Sequence, residues 1–244
     1  MIKFFRQIRQ QLLGEGKMAT YFKYAFGEIV LVMIGILLAL QVNNWNEGRK
    51  IKNTEIKLLQ GFVKEMEANQ KILDEAIEIH SNNLSNISDI TDHWNELNDE
   101  KKINSINSLR SFFTMDLLSG VIKSLLTGNN LNIISSDSLK SFITSWEDKE
   151  VDISENEVLD AHYTNNVIIP YLYRNVSLKA LAEYPQKKDS SVLIQVNKIV
   201  QENEFEGILL QRSANLFWGI NEMKSLSEEL EYIIDYTEQI INDQ

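Results

Sequence analysis

The chain has 244 residues, ten of them glycine and two proline, and 43% of its residues are hydrophobic. So few turn-forming residues exclude an all-β protein, which needs a turn about every 8–12 residues, and they predict an all-α fold. The net charge of −11, with no basic stripe, argues against a nucleic-acid partner, and the absence of cysteine excludes disulfides and thiolate metal ligands.

Charge is divided unevenly along the chain. Of the 24 cations and 35 anions, five cations and one anion lie in residues 1–23, which leaves 19 cations and 34 anions in the rest. The sequence therefore predicts a short basic segment followed by a large acidic domain.

Residues 1–20 are predicted to form a cytoplasmic amphipathic helix. Lys3, Arg6 and Arg9 share one arc of a helical wheel, and apolar residues share another (Phe4, Phe5, Ile8 and Leu12). A helix of this kind lies in the plane of a membrane and contacts anionic lipid through its cations. The alternative is a disordered basic tail.

Residues 21–45 are predicted to form a transmembrane helix. The run 29–40 is uniformly apolar, with Tyr21 and Tyr24 before it and Trp45 after it. Tyr24 and Trp45 are 21 residues apart, about 31 Å at a helical rise of ~1.5 Å per residue. That length matches a hydrocarbon core of ~30 Å with aromatic anchors at both interfaces. The alternatives are a buried core helix and a cleavable signal peptide, for which the 39–41 segment is a poor cleavage site.

The orientation of this helix rests on the basic tail. Five cations precede Tyr24 and four follow the span closely (Arg49, Lys50, Lys52 and Lys57), so the positive-inside count is nearly tied. The preference of the tail for an anionic leaflet favours a cytoplasmic N-terminus. Residues 46–244 are then extracytoplasmic, which in a bacterium means an inner-membrane protein with a periplasmic domain.

One face of the predicted span carries small and acidic residues. Glu28, Gly35 and Ala39 fall near a common direction, together with Val32 and Val42. Small residues four apart allow two helices to approach closely, and a carboxyl group in lipid requires a partner. This face predicts contact between copies of the chain in a homo-oligomer. The alternative is that Glu28 lies close enough to the membrane surface to reach water.

Two long helices are predicted to frame the domain. No glycine or proline linker follows the span, and apolar residues at three-and-four spacing continue to about residue 97, before the polar cluster 98–102. The polar residues at 81–83 are the expected place for a bend. A second apolar stripe runs from Asn203 to Ile241. Two such helices would bury their stripes by antiparallel packing, which predicts a helical bundle.

Shorter elements are predicted between these helices. Helices are expected over about 108–119, 121–126, 137–146, 154–174 and 192–199, with a loop at 183–190. Gly128 is expected to end the second in a left-handed conformation, and Ser136 or Asp137 to cap the third. Pro170 is expected to kink or open the last turns of the fourth.

No catalytic, metal or cofactor site is predicted. His80 and His93 are 13 residues apart, about 220° around a helix, and cannot share a metal. Together with His162 they are interpreted as packing or surface residues. The sequence contains no phosphate-binding loop and no nucleophile elbow, and its glutamate runs are interpreted as solvated faces. The chain is therefore predicted not to be an enzyme.

The start of the chain resembles a known but uncharacterised family. The resemblance rests on Met1-Ile-Lys-Phe-Phe-Arg-Gln-Ile-Arg9, on Gly27-Glu-Ile29, and on Gly35-Ile-Leu-Leu-Ala-Leu-Gln41-Val-Asn-Asn-Trp-Asn-Glu47. These runs are similar to a domain-of-unknown-function family of Bacteroidota. A looser similarity covers residues 124–142 and the C-terminal helix. The resemblance implies a single-span protein with a helical extracytoplasmic domain, and it implies no activity.

Three functions remain open at this stage. The first is a structural or interaction protein that contacts the lipid bilayer, its own copies and an envelope protein. The second is a sensory or ligand-binding module, which would need a separate membrane partner because only about 23 residues precede the domain and span on the cytoplasmic side. The third is a pore subunit that uses Glu28.

Overall fold

The computed structural model describes residues 18–128 and 130–243, and every regular element in these ranges is a helix. The predicted all-α class is therefore confirmed. The chain divides into two compact units, residues 1–54 and residues 55–244. The residues Lys3, Arg6 and Arg9, predicted to contact lipid, lie outside the described ranges.

The elements follow one another with short connections. The α-helices are α1 Met18–Asp92, α2 Asp99–Ser108, α3 Gly120–Leu126, α4 Asp137–Tyr163, α5 Ile169–Asn175, α6 Leu178–Lys187, α7 Ser190–Ile199 and α8 Asn203–Asn242. Short 3₁₀ helices occupy Trp94–Glu96 and Asn130–Ile133, and a π-helical turn occupies Thr164–Ile168.

Helix α1 confirms that the apolar run continues into a long helix. It passes through 81–83 without interruption and ends at Asp92, five residues before the predicted end. The polar cluster 98–102 begins a new helix, because the Asn98 side chain accepts a hydrogen bond from the Lys101 N–H at 2.9 Å. Asp99 and Glu100 then stand in the first turn of α2, where the helix dipole favours negative charge.

Helices α1 and α8 pack antiparallel, as predicted. Residues 59–76 of α1 share an apolar core with residues 223–233 of α8, and residues 87–90 share another with residues 205–216. Within the first of these regions, the Gln70 amide donates to Ser227 Oγ at 2.5 Å.

Helix α4 completes a three-helix arrangement. It runs antiparallel to α8, since Lys149 pairs with Glu229 at 2.7 Å while the Tyr163 hydroxyl donates to the Ile208 carbonyl at 3.3 Å. It runs parallel to the second half of α1, where the rings of Phe62 and Phe142 lie 6.0 Å apart edge to face.

Two separate apolar cores fill the bundle. The first core is formed by α1, α3, α4 and α8, with Phe62, Met66, Leu125, Trp146 and Leu230 among its buried members. The second core is formed by the end of α1, the helices α2 and α5–α7, and the start of α8, with Ile90, Ile106, Tyr171, Val196 and Phe205 among its members.

The predicted helix at 108–119 is wrong. Helix α2 ends at Ser108, and residues 111–119 form no helix. Along this 111–119 segment Phe113, Met115 and Leu117 are buried or half-buried, and the residues between them are exposed. Alternation of this kind has a period of two, which belongs to extended backbone. The sequence pattern predicted a helical period for this segment, and the structure has the extended one.

The helices predicted on either side of residue 150 are joined in a single helix. Helix α4 continues unbroken from Asp137 to Tyr163, and Ser136 is its cap because its Oγ accepts from the Leu139 N–H at 3.2 Å. The π-helical turn directly precedes Pro170. Proline has no N–H and its ring collides with the carbonyl four residues earlier, so the wider turn relieves that conflict. The disturbance expected from Pro170 therefore lies in the turn before it, whereas the last turns, Ile169–Asn175, are regular α-helix.

The predicted loop at 183–190 is also wrong. Residues up to Lys187 belong to α6, with Pro185 inside its last turn, where one missing hydrogen bond disrupts little. The connection to α7 is reduced to Lys188, which has a φ of 45°, and Asp189, which caps α7. The predicted left-handed Gly128 is confirmed by its φ of 76°.

Candidate functional site

The apolar part of α1 is not covered by the rest of the described chain. A window of this helix has a mean hydropathy of 2.3, and none of that window is buried. Phe26 is 69% exposed and Leu37 is 61% exposed. The helix is long and apolar enough to cross a membrane.

The predicted packing face is exposed at its two small residues. Gly35 and Ala39 are exposed, and Glu28 is half-buried. A Cβ atom built on Gly35 would meet no other atom within 4 Å. The face therefore retains the close-approach surface that the small residues predict, and no described part of this chain fills it.

Of the three predicted interface residues, the structure describes the side chain of Trp45. It is 67% exposed, and the guanidinium carbon of Arg49 lies 5.5 Å from the centre of its ring. This pairs an amphipathic ring with a cation, as membrane–water interfaces favour. Tyr21 and Tyr24 lie on α1, and their side chains are outside the described ones.

A buried polar layer lies between the two apolar cores, and sequence analysis missed it. The layer consists of His80, Glu157, Asp160, Thr164 and Arg212, each at most 3% exposed. On α1 it falls between the core residues Ala76 and Ile87, and along α4 and the π-helical turn it falls between Ile153 and Ile168. Buried charges of this kind are tolerated when they are paired and hydrogen-bonded.

Arg212 is the centre of this layer. Its Nε and Nη2 atoms donate to the two Asp160 carboxylate oxygens at 3.1 and 3.2 Å. Its Nη1 donates to the Leu109 carbonyl and its Nη2 to the Ser111 carbonyl, both at 2.6 Å. The guanidinium thus neutralises a buried carboxylate and also holds the backbone that leaves α2.

His80 and Glu157 form the second pair of the layer. His80 Nε2 lies 3.9 Å from Glu157 Oε1, and neither atom has a hydrogen-bond partner among the described residues. The other Glu157 oxygen accepts from the Met115 N–H at 2.9 Å, and the Phe113 ring stands edge-on to the imidazole. The prediction of His80 as a packing residue agrees with this burial.

Polar side chains of α1 hold the next stretch of backbone. Asn69 Oδ1 accepts a hydrogen bond from the Leu118 N–H at 2.7 Å, and Asn69 Nδ2 donates to the Leu118 carbonyl at 2.8 Å. The Glu65 carboxylate accepts from the first N–H groups of α3, at 2.7 Å from Val121 and 3.1 Å from Ile122. Further along, Glu55 accepts from the Ser135 N–H at 2.5 Å.

These contacts give the buried polar groups a common role. Side chains of α1, α4 and α8 bind backbone groups within and beside the 111–119 segment, which forms no helix. Glu65, Asn69, Glu157 and Arg212 each bind backbone groups, so these side chains fix the path of this segment. A sequence signal existed. The inward three-and-four stripe of α4 and the π-helical turn after it has polar residues at core positions between Ile153 and Ile168: Glu157, Asp160 and Thr164.

Tyr171 is a buried titratable group in the second core. Its ring stacks on Phe205 at 5.4 Å, and its hydroxyl donates to Glu202 Oε2 at 2.8 Å. Burial and this hydrogen bond to a carboxylate both raise the pKa of the Tyr171 hydroxyl well above its ordinary value.

Comparison with known families gives a match without an activity. Residues 28–145, just under half of the chain, match the sequence model of a family of unknown function (DUF6090). The match starts at Glu28 and ends within α4. It fits the resemblance to an uncharacterised domain family. Neither a curated protein nor a solved structure matches the chain.

Proposed function

We propose that this chain is a membrane-anchored interaction protein of the bacterial envelope. In this proposal residues 21–45 cross the inner membrane once, with the basic N-terminal segment in the cytoplasm and residues 46–244 in the periplasm. The helical domain binds other proteins and carries out no chemistry of its own.

The observation that carries the proposal is the uncovered apolar stretch of α1. Large apolar side chains there stay more than half exposed, among them Ile29, Leu31, Ile34, Leu37 and Leu40. Burial of apolar surface is worth about 25 cal/mol per Å², and soluble proteins rarely expose such patches beyond a few hundred Å². A lipid bilayer offers the missing apolar environment, and Trp45 with Arg49 suits its interface.

The interior supports an interaction role over catalysis. The buried charges are used to hold backbone, and a rigid helical surface is what a docking protein needs. Self-association through Glu28, Gly35 and Ala39 belongs to this proposal, because Gly35 and Ala39 are exposed and small residues four apart allow a second helix to approach closely.

Extraction of native membranes with alkaline carbonate tests the anchor. The wild-type chain is expected to stay in the membrane pellet. Replacing Ile34 and Leu37 by Asp would raise the cost of insertion by about 5–7 kcal/mol, since a charge at the centre of a span costs about 2.5–3.5 kcal/mol, and should release the chain. The matched control carries Ile51→Asp and Asn53→Asp, outside the span, and should stay in the pellet. Release of both the wild type and this control would contradict the proposal.

Self-association is tested separately. Gly35→Leu fills the close-approach surface and should abolish cross-linked oligomers of the full chain in mild detergent. Leu37→Met, on another face of α1, is the control and should leave them intact. Oligomers that survive Gly35→Leu would remove this part of the proposal.

A sensory module acting through a membrane partner is the second candidate. The observation in its favour is that α1 is unbroken from Met18 to Asp92. Gentle purification from native membranes distinguishes the two candidates, because a signalling partner should co-purify in fixed proportion under the second and be absent under the first.

A further inference from the structure

A groove of about 650 Å³ runs along the surface between α4 and α8. Its base is apolar, formed by Ile153 and Leu226, and Leu159 stands at one side with 48% of its surface exposed. The groove lies inside the helical domain and uses none of the buried polar layer.

Carboxylates line both walls of this groove. Asp152 and Glu155 come from α4, and Glu222 and Glu229 come from α8. Lys149 is the one cation among the lining residues, and it is already paired with Glu229 at 2.7 Å. The other three carboxylates, of Asp152, Glu155 and Glu222, therefore have no ion-pair partner among the lining residues. Glu222 accepts a hydrogen bond from the neutral Asn156 amide.

The apolar surface continues at the Leu159 end. Trp218 is 64% exposed. It precedes Glu222 by four residues and Ser225 by seven, so all three share one side of α8. Trp218 and Leu159 thus expose apolar surface beside the acidic walls. A surface that contacts only water does not need exposed apolar side chains.

The dimensions suit a helix. The lining residues of α4 span positions 149 to 159, about 15 Å at a rise of ~1.5 Å per residue, or roughly three turns of a bound helix. Grooves between helices bind partner helices through apolar residues at positions i, i+3 or i+4, and i+7. Acidic walls select cations beside those apolar anchors, and they repel both an anionic membrane surface and another copy of this acidic domain.

We infer that the α4/α8 groove binds a basic amphipathic helix of a partner protein. Its apolar residues contact Leu159 and Trp218 and cover the groove base, and its Lys or Arg side chains pair with Asp152, Glu155 and Glu222. This inference rests on the proposed interaction function and names the chemistry of the partner.

The test uses the full chain in nanodiscs of zwitterionic lipid and a fluorescent synthetic 15-residue peptide. The peptide carries Leu at helical i, i+4 and i+7 positions and Lys beside them. A scrambled peptide of identical composition and empty nanodiscs serve as controls. Fluorescence anisotropy should show saturable binding of the amphipathic peptide to the protein. The scrambled peptide should bind at least tenfold more weakly, because it cannot present its apolar residues on one face.

Matched charge reversals locate the binding surface. Glu155→Lys with Glu222→Lys should weaken binding at least tenfold, and Leu159→Asp should also weaken it. Glu231→Lys with Asp235→Lys changes the net charge equally on another side of α8 and should leave the affinity within twofold. Circular dichroism melting confirms that each variant is folded.

Equal losses in both charge-reversal pairs would overturn the inference, because they would show attraction to the overall charge. Absence of peptide binding to the wild type would overturn it as well. If the chain does not enter nanodiscs, the anchor proposal is contradicted. The same peptide titration on the lipid-free chain then still tests whether the groove binds the amphipathic helix.

Discussion

At the scale of single residues, the bundle depends on side chains that serve two helices at once. Arg212 lies on α8 and neutralises Asp160 on α4. It also donates to two backbone carbonyls just after α2, those of Leu109 and Ser111. Its removal would leave a buried carboxylate without its cation and two carbonyls without donors. Each of these losses is costly in an interior of low dielectric constant.

Arg212→Met should therefore lower the free energy of unfolding by about 3–5 kcal/mol, the cost expected for breaking a buried pair. Urea unfolding of the full chain in detergent, followed by far-ultraviolet circular dichroism, measures the change. Lys224→Met on the exposed side of α8 is the control, with an expected change of under about 0.5 kcal/mol. A loss below about 1 kcal/mol for Arg212→Met would contradict the role of the layer.

Tyr171 predicts how stability depends on alkaline pH. Its pKa is raised in the folded chain, first by burial and then by its hydrogen bond to Glu202, so the folded state holds the phenolic proton more tightly than the unfolded state. That contribution is complete below the ordinary tyrosine pKa of about 10 and is lost as the pH rises above it. Stability should fall above about pH 10, and it should fall less steeply in Tyr171→Phe. Identical slopes in the two proteins would exclude this explanation.

At the scale of elements, α3 depends on a side chain from another helix. It has only seven residues, and its cap residue Ser119 makes no side-chain capping bond. The Glu65 carboxylate of α1 instead binds its first N–H groups, where the helix dipole also favours a negative charge.

Glu65→Gln tests this arrangement. A neutral amide offers one acceptor oxygen in place of two, so the variant should lose about 1–3 kcal/mol of stability. The Val121 and Ile122 amides should exchange their hydrogens faster than in the wild type. Glu67→Gln, on the exposed side of α1, should change neither quantity. Unchanged exchange in Glu65→Gln would show that α3 does not need the carboxylate.

The sequence was most informative where an element buries a long stripe. Helices α1 and α8 could be predicted because three-and-four spacing recurs over many turns and few other structures satisfy it. The 111–119 segment could not, because a few apolar residues fit both a helical and an extended period. Its path is fixed by Asn69, Glu157 and Arg212, which are distant in sequence.

The polar layer escaped prediction for a related reason. Glu157 and Asp160 resemble the many solvated carboxylates of an acidic chain, and the partner of Asp160 stands 52 residues away. Nothing local distinguishes a buried carboxylate from an exposed one. Their position on the inward stripe of α4 was the available signal.

At the scale of the whole molecule, the two units differ in whether their apolar side chains are buried. Residues 55–244 enclose theirs in two cores, whereas the apolar stretch of residues 1–54 is left uncovered in the described chain. The central claim of the proposed function is that a lipid bilayer covers that stretch.

Cysteine labelling in membranes tests this claim most directly, because the natural chain has no cysteine. Leu37→Cys and Asn53→Cys each add one thiol at a position on α1 that is exposed in the chain itself. A bilayer excludes water and suppresses the thiolate that reacts with a polar maleimide. The proposal predicts rapid labelling at position 53 and labelling at position 37 only after the membranes are dissolved in denaturing detergent. Equal labelling of both positions in intact membranes would contradict it.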